Sequence, residues 1–373
     1  PTEMWTYESI EEEYGYVDSL DIVFREASPE GPWRRNLPPG AGTDDTRWKA
    51  LLTDFLLAEN EWSKKASINL DPMRFARFIS DRYVVELSRL KATEGLEPEP
   101  YEENMRRVTW LQEWAKVTRA YETGQIDAYR DALSRFYGGE MTCAGMLYAP
   151  LLGAYYPGRP AAAYKAMHKL SLFDHGYARD VSSLTAALAA MAFTEEQLSL
   201  DSIKYHFITV DPENYFDTRL LSRIAYAQFR RAEGINRAVK KIDVPDSLLE
   251  IPKDYPYDSL TFTRTMKAYE MLRENHQEAP FHAGEIHLIN LTAILFCGAD
   301  FKRAMEFVVN YGRDNDTVAA ITGAIIGAHV GGKGLPQEQL ITVLQVNREE
   351  LGIDLEDLAT KLTKAILNRR GES

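Results

Sequence analysis

Gly312-Arg313-Asp314-Asn315-Asp316-Thr317-Val318-Ala319-Ala320-Ile321-Thr322-Gly323-Ala324-Ile325-Ile326-Gly327-Ala328-His329-Val330-Gly331-Gly332-Lys333-Gly334-Leu335-Pro336 is the stretch on which the fold reading turns. It sets two carboxylates at the start of a long apolar helical pattern, where the helix dipole favours negative charge. Gly323, Gly327 and Gly331 recur at every fourth position. Glycine costs about 1 kcal/mol per helical position relative to alanine. Three of them on one face therefore predict a packing need, with another backbone approaching closely. The apolar run is too short and too interrupted to span a bilayer. Gly332, Gly334 and Pro336 supply a helix stop. A calcium EF-hand is excluded, because Val318 and Ala319 fill loop positions that need other residues and Ile325 stands where a bidentate Glu is required.

A second cluster, Gly42-Thr43-Asp44-Asp45-Thr46, lies near the other end of the chain and also leads into a helical pattern. Carboxylates crowded this closely repel one another unless protons or a cation neutralise them. Oxygen donors suit hard divalent ions such as Mg²⁺ or Mn²⁺ rather than zinc. If the two helix starts meet, they can cradle a metal pair. Asp and Thr are equally ordinary capping residues, so each cluster alone leaves both readings open.

Working outward, apolar patterns of helical period run over 47–59, 72–90, 104–122, 160–171, 177–193, 216–241, 260–274, 285–297, 299–310, 317–331 and 354–368. No stretch shows sustained strand alternation with hairpin turns. Loops are expected at 27–43, 91–101 and 243–258, and no linker or repeat divides the chain. An all-α, single compact domain of many orthogonally packed helices over 1–373 follows.

The net charge of −13 opposes broad nucleic-acid binding, which relies on Lys and Arg neutralising phosphates. Arg34-Arg35 and Arg106-Arg107 could form a local basic mouth, although solvated faces are their ordinary role. Cys143 and Cys297 lie in apolar contexts and do not suggest a disulfide framework. There is no nucleophile elbow, Walker loop or dinucleotide fingerprint, and His282 and His287 do not have zinc-protease spacing. Trp5, Trp33, Tyr155 and Tyr156 could stack on a base or sugar, but core packing is the commoner role of aromatics. A monomer without membrane or nucleic-acid partners is expected. A cytoplasmic location is favoured, with an exported form left open.

The ordered motifs resemble the ADP-ribosylglycohydrolases, including the dinitrogenase reductase-activating glycohydrolases. That family has a Thr-Asp-Asp-Thr run near the start and a Gly-x-Asp-x-Asp-Thr run near the end, matched here by Thr43–Thr46 and Gly312–Thr317. A weaker middle match runs from Cys143-Ala144-Gly145-Met146-Leu147 to Gly153, followed by Asp174-His175-Gly176. Leu147 stands where the family usually has Arg, and Asn315 where Thr is more usual. Pro1-Thr2-Glu3 is similar to the family's opening loop, so its first helix is expected upstream of Pro1.

The resemblance implies an all-α fold and hydrolysis of a glycosidic bond on an ADP-ribosyl or related ribosyl conjugate, free or attached to a protein. It implies two divalent ions, Mg²⁺ or Mn²⁺, on Thr43, Asp44, Asp45, Asp314, Asp316 and Thr317. Glu3, Asp45 and Asp316 are the implied catalytic acids, with Glu3 on a mobile loop that closes over the metals. Gly145, Met146 and His175 fall on the implied substrate side. Two alternatives stay open: a hydrolase of another glycoside or nucleoside, and a non-catalytic crystallin-like protein.

Overall fold

The computed structural model describes residues 2–20, 23–24, 36–63, 69–93, 111–194 and 198–370. Trp33, Arg34-Arg35, Arg106-Arg107, the first half of the 27–43 loop and the 91–101 loop from residue 94 lie outside the described residues. In chain order the helices are α1 (Tyr7–Tyr14), α2 (Asp44–Ser63), α3 (Pro72–Thr93), α4 (described over 111–122), α5 (Ile126–Arg135), α6 (Ala149–Tyr155), α7 (Pro160–Leu170) and α8 (Ala178–Ala192). They continue with α9 (Leu200–Thr209), α10 (Ile224–Lys240), α11 (Ser259–Arg273), α12 (Ala283–Cys297), α13 (Phe301–Tyr311), α14 (Asn315–Val330), α15 (Gln337–Glu350) and α16 (Leu355–Arg370). The fold is all-α. Among the described residues, the sole sheet is a two-residue antiparallel pair, Val23–Phe24 against Asn36–Leu37.

Two helices form the centre. Every residue of α8 except Arg179 is buried, and every residue of α12 except Phe296. Helices apolar all round belong in the interior of a large bundle. Around them, α6 and α7 pack on α8, α10 on α12, and α13 and α14 on one another and on α12. A continuous core runs from Trp48 on α2 to Leu362 on α16. One buried ion pair inside it is fully matched: Arg223, fully buried, donates to both oxygens of Asp180 on α8 at 2.7 and 2.9 Å and to the carbonyls of Phe207 and Val210. No described helix is long and apolar enough to cross a membrane.

The elements missed by periodicity are short or only shallowly buried. Helix α1 fully buries only Ile10, α15 only Asn347 and α9 only Ile203 and Phe207, while α5 fully buries nothing and packs Tyr129, Ala132 and Leu133 half-buried on the core. Helix α6 is too short to show a period. The pattern over 216–241 starts too early: Tyr215–Asp217 is a 3-10 turn, and α10 begins at Ile224. The glycine face of α14 also needs correction. A Cβ at Gly323 would meet the Met305 and Phe301 side chains of α13 at 3.3 and 3.6 Å, not a backbone. Gly331 instead ends α14 with φ +67° and donates to the Gly327 carbonyl. The close backbone approach occurs at Gly153 on α6, where a Cβ would lie 2.4 Å from the Ala186 carbonyl of α8.

Candidate metal centre

The second acidic cluster sits at a sharp turn between α13 and α14. Gly312 has φ +83°, and a Cβ there would fall 2.2 Å from the Trp5 carbonyl. Arg313 also adopts the left-handed region, φ +61°, which costs a side-chain-bearing residue about 1–2 kcal/mol. Its surroundings fix it there. Its guanidinium donates to the buried Glu285 carboxylate at 2.6 and 2.9 Å and to the Gln277 carbonyl at 2.8 Å. Its N–H donates to the Trp5 carbonyl, and its own carbonyl accepts from Met4 N–H, both at 2.7 Å. Asp314 occupies the N-cap of α14, yet its side chain makes no capping bond to the helix. Capping therefore does not explain this acid.

The first cluster begins α2. The Thr43 carbonyl accepts from Thr46 and Arg47 N–H at 3.2 and 3.4 Å. Asn347 on α15 pins the approach, accepting from Gly42 N–H and donating to the Gly40 carbonyl, each at 2.9 Å. Gly42 must be small, because a Cβ would lie 2.2 Å from Thr46 Oγ1. One turn beyond Asp44, the fully buried Trp48 packs on Trp114, Tyr148 and Phe173 with ring centroids 4.1, 5.7 and 6.0 Å away. That packing fixes the rotation of α2 and hence where its first turn points.

The two starts converge. Asp44, Asp45 and Asp316 each offer an oxygen within 4.8 Å of the others, and so do Glu3, Asp314 and Asp316. Asp316 belongs to both groups. Thr317 Oγ1 donates to Asp45 Oδ2 at 3.1 Å, and Lys49 Nζ reaches Asp45 Oδ1 at 3.3 Å. Burial, then Asp45 and Asp316, push the Asp44 carboxyl up to about 8. Burial, then Asp316 and Asp45, raise Asp314 well above the usual carboxylate range. Asp45 is raised by burial against the opposing pull of Lys49. Asp316 Oδ1 is buried without a hydrogen-bond partner. Crowded acids with raised carboxyls and a buried, unmatched oxygen fit a divalent cation, which would relieve each of these costs. The donors are carboxylate and hydroxyl oxygens, the set for a hard ion. The Cys143 thiol donates to Asp314 at 3.8 Å and is pushed up by burial, so it remains a thiol rather than a soft ligand.

The acids line a small cavity open to solvent. Glu3, Asp44, Asp314, Asp316 and Thr317 form its acidic side, and Trp114, Tyr137, Phe281, Leu147 and Met4 its apolar side. Asp45 stands behind this wall, and Thr43 just outside it at the α2 N-terminus. Gly145 and Met146 also stand behind it. Met146 is fully buried in the core, while Gly145 N–H donates to the buried Asp174 at 2.8 Å. Their neighbours Cys143, Ala144 and Leu147 are the ones that face the cavity. His175 Nε2 meets the Glu140 carbonyl at 2.6 Å and is not on the wall.

Trp5 pairs with Tyr14, and Tyr155 and Tyr156 lie under Arg369, so none of these three lines the cavity. The residues that sequence reasoning missed are the aromatic wall and the braces Asn347, Glu285 and Arg313. A lone Asn or Trp carries no local signal of what it will touch.

Among the curated proteins, no sequence matches the chain. Residues 1–371 match the model of a family described as ADP-ribosylglycohydrolase. With a match over essentially its whole length, the chain belongs to the ADP-ribosylglycohydrolase family.

Proposed function

We propose that this protein is a divalent-metal-dependent hydrolase of the glycosidic bond in an ADP-ribosyl or related ribosyl conjugate. One observation carries the reading: two carboxylate triplets share Asp316, which lines a cavity that Trp114, Tyr137 and Phe281 also line. Glu3, Asp44, Asp314, Asp316 and Thr317 would hold two ions, Mg²⁺ or Mn²⁺, with Asp45 and Thr43 at the edge. Bound ions of this kind supply Lewis-acid and template chemistry for a water and the sugar hydroxyls.

The protein's own groups do the rest. Trp114, Tyr137 and Phe281 make part of the cavity lining apolar, a surface suited to packing against a base or sugar. Asp45 is tied at one oxygen by Lys49 and at the other by Thr317, so it is suited to orienting Thr317 and neutralising charge. Of the three acids expected to move a proton, Glu3 and Asp316 face the cavity. A carboxylate there can take a proton from water only within hydrogen-bond reach of it. The partner is then a small conjugate or an ADP-ribosylated side chain, bound by a monomer.

The test is a hydrolysis panel of ADP-ribosyl-arginine, ADP-ribosyl-serine, nucleosides and simple glycosides, with Mg²⁺, Mn²⁺ or chelator. Chelator-sensitive release of ADP-ribose is expected. Turnover confined to nucleosides or simple glycosides would move the assignment to another glycoside. No turnover of any substrate with either ion would defeat the catalytic reading.

A further inference from the structure

Glu3 reaches the acidic floor because the segment carrying it is tied along α13 and the start of α14. Met4 N–H and the Trp5 carbonyl bond to Arg313, and Thr6 bridges Gly312. Farther along, Val17 exchanges two hydrogen bonds with Asn310, at 2.9 and 2.8 Å, and Tyr16 donates to Glu306 at 3.2 Å. Arg273 pairs with Glu8 at 2.6 Å. At the near end stands one side-chain bond: Asn315 Nδ2 donates to Thr2 Oγ1 at 2.7 Å and to the Val309 carbonyl at 2.8 Å. Thr2 and Asn315 are 3% and 4% exposed, so water does not compete for this bond. Asn315 lies between Asp314 and Asp316, the two acids that Glu3 joins.

We infer that Asn315 is a positioning residue that latches Thr2 and so holds Glu3 against Asp314 and Asp316 before any ligand arrives. The role rests on the metal reading above. A threonine at this position would have a shorter side chain and a single hydroxyl hydrogen, so it could not donate to both Thr2 and the Val309 carbonyl as Asn315 does. A segment held in place in this way is preorganised, which lowers the ordering cost of binding. Glu3 then acts as a standing member of the acidic site rather than as a visitor on a moving loop.

Thr2→Val removes the acceptor at near-constant volume and leaves the Asn315–Val309 bond alone, so folding is not at stake. Asn315→Thr and Thr2→Ser complete the set. Two readouts apply to the full chain: peptide-level hydrogen exchange over residues 2–6, and Mn²⁺ titration by calorimetry. Thr2→Val and Asn315→Thr should speed exchange over 2–6 and weaken Mn²⁺ by about tenfold, the scale of a lost supporting contact. Thr2→Ser, which keeps the hydroxyl, should restore both, and thermal midpoints should stay close to wild type. Unchanged exchange over 2–6 in both Thr2→Val and Asn315→Thr would overturn the latch. Faster exchange with unchanged Mn²⁺ affinity would overturn the link from the latch to Glu3. If wild type takes up no Mn²⁺ at all, the metal reading has failed, and the exchange comparison alone decides the latch.

Discussion

Thr317 donates its hydroxyl hydrogen to Asp45 at 3.1 Å, joining the first turns of α14 and α2 across 272 positions of sequence. The bond leaves Thr317 on the cavity wall and Asp45 behind it. Thr317→Val should therefore free Asp45 to move and weaken Mn²⁺ binding by about 10- to 100-fold, the usual effect of removing a ligand's support. Thr317→Ser should retain most of the affinity. Equal affinity in Thr317→Val and wild type, measured by calorimetry, would show that the hydroxyl neither binds the ion nor orients Asp45.

Asp316 is common to both carboxylate triplets. Its replacement by Ala should abolish Mn²⁺ binding and hydrolysis together while leaving helix content intact, because α14 still starts at Asn315. Without metal the variant should be at least as stable as wild type, since one crowded charge has gone. Full turnover of Asp316→Ala at limiting metal would remove this residue from the site.

Glu3 faces Asp314 and Asp316 in a segment fixed by hydrogen bonds to Arg313. Glu3→Gln should lower kcat by about 10²–10⁴ if Glu3 transfers a proton. The geometry adds that metal affinity should fall as well. The sequence alone suggested a mobile loop, for which metal binding would hardly change. Calorimetry with Mn²⁺ separates the two, and unchanged affinity would return Glu3 to the role of a visiting acid.

Asp44, whose carboxyl is pushed up to about 8 mainly by burial, contributes with the raised Asp314 and Asp45 to the pH dependence of the metal-free protein. In the unfolded chain an Asp titrates at about 3.9. Between these values the native state holds a proton that the unfolded state has lost, so stability falls as pH rises from about 4 to 8. In chelator, the thermal midpoint should decline over that window, and Asp44→Asn should make the decline shallower, with Asp314 and Asp45 supplying the remainder. Metal binding at pH 7 should release protons, seen as a dependence of the binding heat on buffer ionisation enthalpy. A midpoint that does not differ in slope between wild type and Asp44→Asn would remove Asp44 as the cause.

His287 on α12 gives the opposite slope. Burial, with Arg223 adding, holds its imidazole down to about 3, and its ring stacks on Phe207 with centroids 5.6 Å apart. The unfolded imidazole takes a proton below about 6.5, whereas the native one stays neutral. Its contribution is therefore present above about pH 6.5 and is lost as pH falls toward 3. His287→Gln should reduce the acid-side slope of stability against pH. Parallel denaturant midpoints for the two proteins between pH 6.5 and 4 would contradict this.

The all-α class and the two acidic helix starts could be read directly from the sequence, because caps and periodicity act within a turn or two of chain, whereas Gly331, counted there among the packing glycines, proved to be the residue that ends α14. Helices α5 and α15 were not read from the sequence: each spans only a few turns and is shallowly buried, so its apolar positions are few and mixed with polar ones. Tertiary structure alone decided that Asp316 serves both triplets, that Asn347 and Arg313 brace the two starts, and that Leu147 rather than Met146 meets the cavity. These depend on contacts between residues tens to hundreds of positions apart. Such contacts are set by how α8 and α12 are covered, and a local pattern fixes which residues can start a helix but not which other helix start it will face.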